Sequence, residues 1–195
     1  MNNLRRLAVY CGSASGNDAA FSDAARATAE AMVSNGVDLV YGGGRLGLMG
    51  LMGLMADSVL SGGGRVYGVI PMALVDLEVA HTGLTELHRV DTLHERKARM
   101  TDLADAFLAL PGGIGTLDEL FEAWSWNALG YHSKPLCLLN VEGFWDGLIE
   151  FIEHSHRSGF MSTRRREQLL IADNPEQALK LLDEAAATAA QGMVW

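Results

Sequence analysis

"AFLALPGGIGTLDE", Ala106 to Glu119, carries an apolar, β-rich run through a glycine turn into a helical pattern. The run ends at Pro-Gly-Gly, a strong turn signal, and helical periodicity is legible from Leu117 to Tyr131. Glycines let backbone amides approach a ligand closely, and a helix start offers unpaired N–H groups to an anion. Asp118 and Glu119, in that same turn, would repel the anion unless they serve chemistry beside it.

The same strand–turn–helix unit recurs along the chain. Strands are expected at "RLAVYCG", "VDLVYGG", "RVYGVIP", "TELHRV", "AFLALPG", "PLCLLNV" and "QLLIAD". Helices are expected over 18–35, 46–60, 95–104, 117–131, 144–158 and 175–190. Strands alternating with helices of this length imply a parallel sheet covered on both faces. The expectation is an α/β protein with one Rossmann-like, doubly wound domain over residues 1–195. Its sheet is mostly parallel, of about seven strands, with helices on both faces. Ligands of such sheets bind beyond the carboxyl ends of the strands. "YCGSASG", "YGGGRLGLMG" and "PGGIGT" would all open onto that edge.

The chain has 195 residues, 49% of them hydrophobic and 20% charged, enough for one well-filled core. A net charge of −9 argues against nucleic-acid and anionic-membrane partners, which require a broad basic face. Arg164, Arg165 and Arg166 form a short basic run that reads as a solvated face. The two cysteines, Cys11 and Cys137, lie in strand-like runs and read as reduced thiols. The apolar part of the N-terminus is too short for a signal peptide, and Asp57 interrupts "GLMGLMADSVL". The protein reads as cytoplasmic.

Gly42, Gly44 and Gly47 fit the G-x-G-x-x-G dinucleotide fingerprint, but in the second βα turn rather than the first. The next strand ends in Ile70-Pro71-Met72 instead of a ribose-binding acid, which argues against NAD. No P-loop motif is present. The turn is read both as tight packing, with Met49, Met52 and Met55 in the core, and as a lining of the site. "TLHERKARM" puts Arg96, Lys97 and Arg99 early in a helix, against its dipole. Thr92 and Glu95 there form a capping box, so the cations are either a solvated face or drawn in by an anionic ligand. Thr116 and Glu119 also have capping-box spacing, leaving Glu119 as either cap or chemistry. The six histidines show no metal-ligand spacing, and His154 and His156 point to different helix faces.

Taken together, "PGGIGTLDE", "HERKARM", "YGGGRLGLMG", "CGSASG" and "GFMSTRRR" resemble the LONELY GUY family over almost the whole chain. Its members are cytokinin riboside 5′-monophosphate phosphoribohydrolases, long mislabelled as lysine decarboxylases. The resemblance implies hydrolysis of an N-glycosidic bond to free base and ribose 5-phosphate, with no metal or cofactor. It implies catalytic roles for Arg96 and Glu119. It also implies nucleotide contacts at Glu78, Arg96, Lys97, Gly113, Ile114, Gly115, Thr116, Leu117, Asp118, Glu119 and Ser125. Asp118 stands where plant relatives often have Glu, and Ser125 where many have Thr. A homodimer is implied too, for which the helix around Trp124 and Trp126 offers apolar surface. A pyridoxal phosphate decarboxylase finds no free lysine among Lys97, Lys134 and Lys180. The remaining alternative is a non-catalytic carrier of a nucleotide or of molybdenum cofactor.

Overall fold

A computed structural model describes residues 3–44, 50–75, 81 and 83–191. Seven strands form one sheet: β1 (Arg6–Tyr10), β2 (Asp38–Tyr41), β3 (Val66–Pro71), β4 (Glu86–Val90), β5 (Ala106–Ala109), β6 (Leu136–Leu139) and β7 (Leu169–Ala172). Their order is β4-β3-β2-β1-β5-β6-β7, and every pairing is parallel rather than most of them. All seven expected strands are present. The chain builds outward from β1 to β4, then returns to lay β5 on the other side of β1. That reversal is the switch point of a doubly wound sheet.

The longer helices are α1 (Ala19–Ser34), α2 (Leu51–Ser61), α4 (Leu93–Leu103), α5 (Ile114–Leu129), α6 (Asp146–Arg157) and α8 (Pro175–Gln191). Two short ones, α3 (Met72–Val75) and α7 (Thr163–Glu167), were not expected, nor was a 3₁₀ turn at Val141–Gly143. At four or five residues, α3 and α7 fall below the length at which periodicity is readable. The first part of the expected 46–60 helix lies outside the described residues, as does Met49.

Strand alternation divides the core into two layers. Leu7 and Val9 of β1 face α1, α2 and α8, where Ala29, Met32, Met55 and Leu179 pack. Ala8 and Tyr10 face the other way, toward Met100 of α4, Leu120 and Trp124 of α5 and Ile152 of α6. Each such Leu or Met buried from water contributes about 1.5–3 kcal/mol. Carboxylates secure the start of the sheet. Asp105 accepts the N–H groups of Arg5 and Arg6, both at 2.9 Å, and so ties the entry of β1 to β5.

One expectation fails here and another is narrowed. Helix α5 starts at Ile114, with Gly113 as an N-cap that has no side-chain hydrogen bond. Thr116 therefore lies inside the first turn and Glu119 in the second, so they cannot form a capping box. Trp124 itself is turned into the core, stacked on Phe121 at 6.1 Å, so the apolar surface of this helix comes from Ile114, Phe121 and Leu129. The Thr92 box does form: Thr92 accepts the N–H of Glu95 at 3.1 Å. Glu95 in return takes the N–H of Asp91 at 2.8 Å, one residue before the cap.

His132, in the turn after α5, lies 5.3 Å from the Phe107 ring, and its Nδ1 accepts the N–H of Lys134 at 3.2 Å. Burial, and then the charge of Lys134, push its pKa down to about 4. The unfolded chain takes up that proton near pH 6.5, so stability is lost as pH falls from about 6.5 toward 4. The slope is below about 1.4 kcal/mol per pH unit, because solvent screens a half-buried ring. His132→Asn, whose amide oxygen can accept the same N–H, is expected to flatten this slope in urea melts between pH 7.5 and 4.5. An unchanged slope would assign the acid sensitivity elsewhere.

Candidate active site

The loops leaving β1 and β5 meet at the switch point. The N–H of Gly12 donates to the carbonyl of Pro111 at 3.0 Å. A Cβ on Gly12 would lie 2.7 Å from the oxygen of Ala14; one on Gly112 would lie 2.8 Å from the nitrogen of Gly12 and 2.1 Å from Oγ1 of Thr116. Neither residue can be anything larger without moving backbone. A cavity of about 240 Å³ opens above them, with Ser13, Ser15 and Gly113 on its polar side and Phe21, Leu51 and Phe144 on its apolar side.

Next to this cavity α5 begins. Gly113, Ile114 and Gly115 are exposed, whereas Thr116 is buried. A Cβ on Gly113 or Gly115 would meet nothing within 4 Å. Internal packing therefore does not demand these two glycines, in contrast to Gly12 and Gly112. Their bareness leaves the first-turn N–H groups, which a helix cannot satisfy itself, open to close approach from outside.

One turn further along α5, Glu119 faces Arg96 of α4. The Arg96 Nη2 lies 3.7 Å from Oε1 of Glu119 and donates to the carbonyl of Gly42 at 3.3 Å. Both side chains are largely enclosed, at 11% and 14% exposure. The end of β2 is shaped around this guanidinium, since a Cβ on Gly42 would lie 1.9 Å from Nη2. The Arg96 Nε is buried and has no hydrogen-bond partner. Tyr10 lies in the same field: burial first, then Glu119 and Glu122, push its phenol well above the usual value, while Arg96 pulls it back. It stays a neutral hydroxyl at physiological pH. The Cys11 thiol is likewise pushed up, by burial and then by Glu119, so it is no nucleophile.

Lys97, next to Arg96, is 14% exposed and bridges Asp118 at 3.0 Å and Glu122 at 2.9 Å. Burial works to lower its pKa, but hydrogen bonds to Glu122 and Asp118 outweigh that and raise it. Arg99 is exposed to solvent. Ser125 is exposed on α5, seven residues and about two turns beyond Asp118. Glu78 lies outside the described residues. The structure thus brings Arg96, Lys97, Asp118 and Glu119 together beside the Gly113–Thr116 turn. The glycine turn expected to line the site does so at Gly42, whereas sequence reading missed Tyr10 and Glu122; only the four-residue spacing of Asp118 and Glu122 hinted at a shared partner.

Two cations facing three carboxylates leave the cluster with an excess negative charge. An anion is repelled from it and favoured at the helix start, while a developing positive charge is favoured beside Glu119. Such an arrangement can hold an anionic group at one end of a ligand and stabilise a cation at the other. Among the described residues no group of three or more His, Cys, Asp or Glu could hold a metal, and no helix is long and apolar enough to cross a membrane.

Residues 52–182 match a family model described as "possible lysine decarboxylase". A cytokinin riboside 5′-monophosphate phosphoribohydrolase of Arabidopsis thaliana is 46% identical over 183 residues, covering 94% of this chain and 84% of the relative. One of Oryza sativa subsp. japonica is 44% identical over 194 residues, 100% of this chain and 79% of the relative. Among solved structures, a molybdenum cofactor binding protein from Rippkaea orientalis superimposes with a TM-score of 0.68 at 18% identity, covering 94% of this chain and 98% of that one. The molybdenum cofactor carrier protein of Chlamydomonas reinhardtii gives 0.68 at 16% identity, covering 94% and 99%. These two likenesses concern the fold.

Because the atom crowding Gly42 is the end of a flexible side chain, Gly42→Ala is expected to fold. Its melting temperature should fall by no more than about 5 °C, since an accommodated small overpacking costs on the order of 1 kcal/mol. A crystal structure of the variant should show the Arg96 guanidinium displaced away from Gly42 and Glu119. A guanidinium left in place would contradict the packing argument.

Proposed function

The chain belongs to the LONELY GUY family of cytokinin riboside 5′-monophosphate phosphoribohydrolases, and on that premise we propose that it hydrolyses the N-glycosidic bond of a nucleoside 5′-monophosphate. The substrate is a cytokinin riboside 5′-monophosphate or AMP, and the products are free base and ribose 5-phosphate. The observation that carries the reading is the enclosed Arg96–Glu119 pair, one turn from a helix start whose Gly113 and Gly115 have open space before them.

The 5′-phosphate sits on the first-turn amides of α5, from Gly113 to Thr116, away from the acidic cluster. The ribose then extends along α5 toward Glu119. As the bond between C1′ and the base lengthens, positive charge grows on the ring, and a fixed carboxylate stabilises it. Arg96 lies 3.7 Å from Glu119 and aims it, and its unpartnered Nε supplies a donor for the substrate. Water completes the reaction at C1′, with Glu119 also suited to accept its proton or to attack in its place. The bound phosphate contributes by orientation, holding C1′ where the carboxylate can act. A carrier without catalysis would use the pairing of Arg96 with Glu119 only as a tie between helices.

A homodimer is part of the same reading. Ile114, Phe121 and Leu129 are exposed and lie along one stripe of α5, with Ser125 between them. Ile114 is 86% exposed and Leu129 73%, apolar surface that a second copy of the helix would cover. Light scattering at micromolar concentration is expected to give twice the chain mass, and Phe121→Glu to lower it. A monomeric parent would refute the dimer.

Incubation with AMP or an N6-prenylated AMP should release ribose 5-phosphate, while adenosine stays nearly inert; equal turnover of AMP and adenosine would remove the phosphate from the mechanism. Glu119→Gln is expected to cut kcat by about 100-fold or more, the loss of one key electrostatic group. Since Glu119 is no cap, its melting temperature should stay within a few degrees of the parent. Near-parental turnover by this variant, or lasting retention of both AMP and N6-prenylated AMP uncleaved by the parent, would overturn the mechanism.

A further inference from the structure

Arg96 and Lys97 are neighbours on α4, yet each reaches α5, and they do so at different places. Arg96 meets Glu119, while Lys97 lies between Asp118 and Glu122, at 3.0 and 2.9 Å. Asp118 and Glu122 are four residues apart on one helix face, where like charges destabilise the helix. The ammonium between them offsets that repulsion and is occupied in doing so. To bind a phosphate it would have to abandon two carboxylates and bring a dianion up to them.

The position of these bridges matters as much as their charge. Helix α4 lies over β1, β2 and β3, and α5 over β1 and β5. The N-terminal turns of both helices reach toward the open edge of the sheet, where the apolar core gives way to the crevice. There the Arg96 and Lys97 bridges hold one helix to the other. The Lys97 bridge is the stronger tie, at about 3 Å to each of two carboxylates against 3.7 Å for the single Arg96–Glu119 contact.

We propose that Lys97 and Glu122, with Asp118, form a strut that fixes the start of α4 against α5 and thereby sets the Arg96–Glu119 geometry. The resemblance implies a nucleotide contact at Lys97; with two carboxylates bridged, it is instead a positioning residue and not the cation that holds the substrate phosphate, and Glu122 joins the residues on which turnover depends. This assignment rests on the phosphoribohydrolase reading. It deepens that reading by separating the groups that touch the nucleotide from those that aim them.

The test is a double-substitution cycle of Lys97→Met and Glu122→Gln in the full chain, with kcat and KM for AMP as readouts. A strut predicts that each single variant loses about ten-fold or more in kcat, as small misplacement of reacting groups does, with KM changed by less than about three-fold. The double variant should be no worse than Lys97→Met alone, because that substitution already removes the tie that Glu122→Gln weakens. Lys97→Arg, which can still span both carboxylates, should recover at least about a third of parental kcat. A ten-fold rise in KM for Lys97→Met at unchanged kcat, with independent effects of the two substitutions, would make Lys97 a phosphate ligand and overturn the proposal. Should Lys97→Met not fold, Glu122→Gln decides alone: a phosphate-binding lysine relieved of a carboxylate tightens AMP binding, whereas a broken strut lowers kcat. Parental protein that leaves both AMP and an N6-prenylated AMP intact would end the hydrolase reading and not this one. AMP affinity measured by calorimetry then decides the strut, unchanged in Lys97→Met if it stands and about ten-fold weaker if it falls.

Discussion

Where β1 and β5 lie side by side, the loops that leave them come so close that neither Gly12 nor Gly112 has room for a Cβ. Much else in the molecule is arranged to keep that approach. Leu7 and Val9 lock β1 into one layer of the core, Ala8 and Tyr10 into the other, and Asp105 ties its entry to the start of β5. The strands therefore cannot splay at the edge where the chain reverses its direction of build. The close approach also reaches into α5. A Cβ on Gly112 would collide with Oγ1 of Thr116, and Thr116 belongs to the turn that precedes Glu119. The seating of the helix and the placing of its carboxylate are thus one steric problem.

Electrostatics add a second layer of order. Cations at the start of α4 oppose that helix's own dipole and would be unfavourable alone. They are held because α5 presents Asp118, Glu119 and Glu122 to them. Two of these carboxylates, Glu119 and Glu122, act on Tyr10, which burial above all keeps neutral. The result is a charged cluster with almost no solvent at Arg96, Glu119 and Lys97, where each group is informative only through its neighbours. The guanidinium of Arg96 is the pivot, touching the carbonyl of Gly42 on one side and Glu119 on the other.

Strands and long helices were readable because burial on both faces of a parallel sheet writes unbroken apolar runs into the sequence, and amphipathic helices write a 3.6-residue period. The start of α5 was misread by three residues for a physical reason. Gly113 and Gly115 carry no helical signal, and the spacing of Thr116 and Glu119 imitates a cap that the backbone places elsewhere. The helix around Trp124 and Trp126 does carry apolar surface, but composition does not tell which stripe of it meets the sheet: Trp124 is buried, and Ile114, Phe121 and Leu129 are the residues left outside. In the site, the Arg96–Glu119 pairing lay in residues already singled out by motif. The groups around it come from the turn after β2 (Gly42), from β1 (Tyr10) and from the third turn of α5 (Glu122); only the glycine turn was marked by a motif, and no spacing along the chain announces the meeting of all three.

Helix α5 leaves its own beginning unfinished: no side chain caps Gly113. A Ser, Thr or Asp there would contribute about 1 kcal/mol to the fold. An anion bound at that turn supplies the same hydrogen bonds, and does so only in the folded state. At a hundred times its dissociation constant, a ligand of this sort adds about 2.7 kcal/mol by mass action, more than the missing cap would. Stability then tracks ligand supply. In a cell where surveillance removes unfolded chains, the steady amount of this protein would rise with the concentration of the nucleotide it consumes.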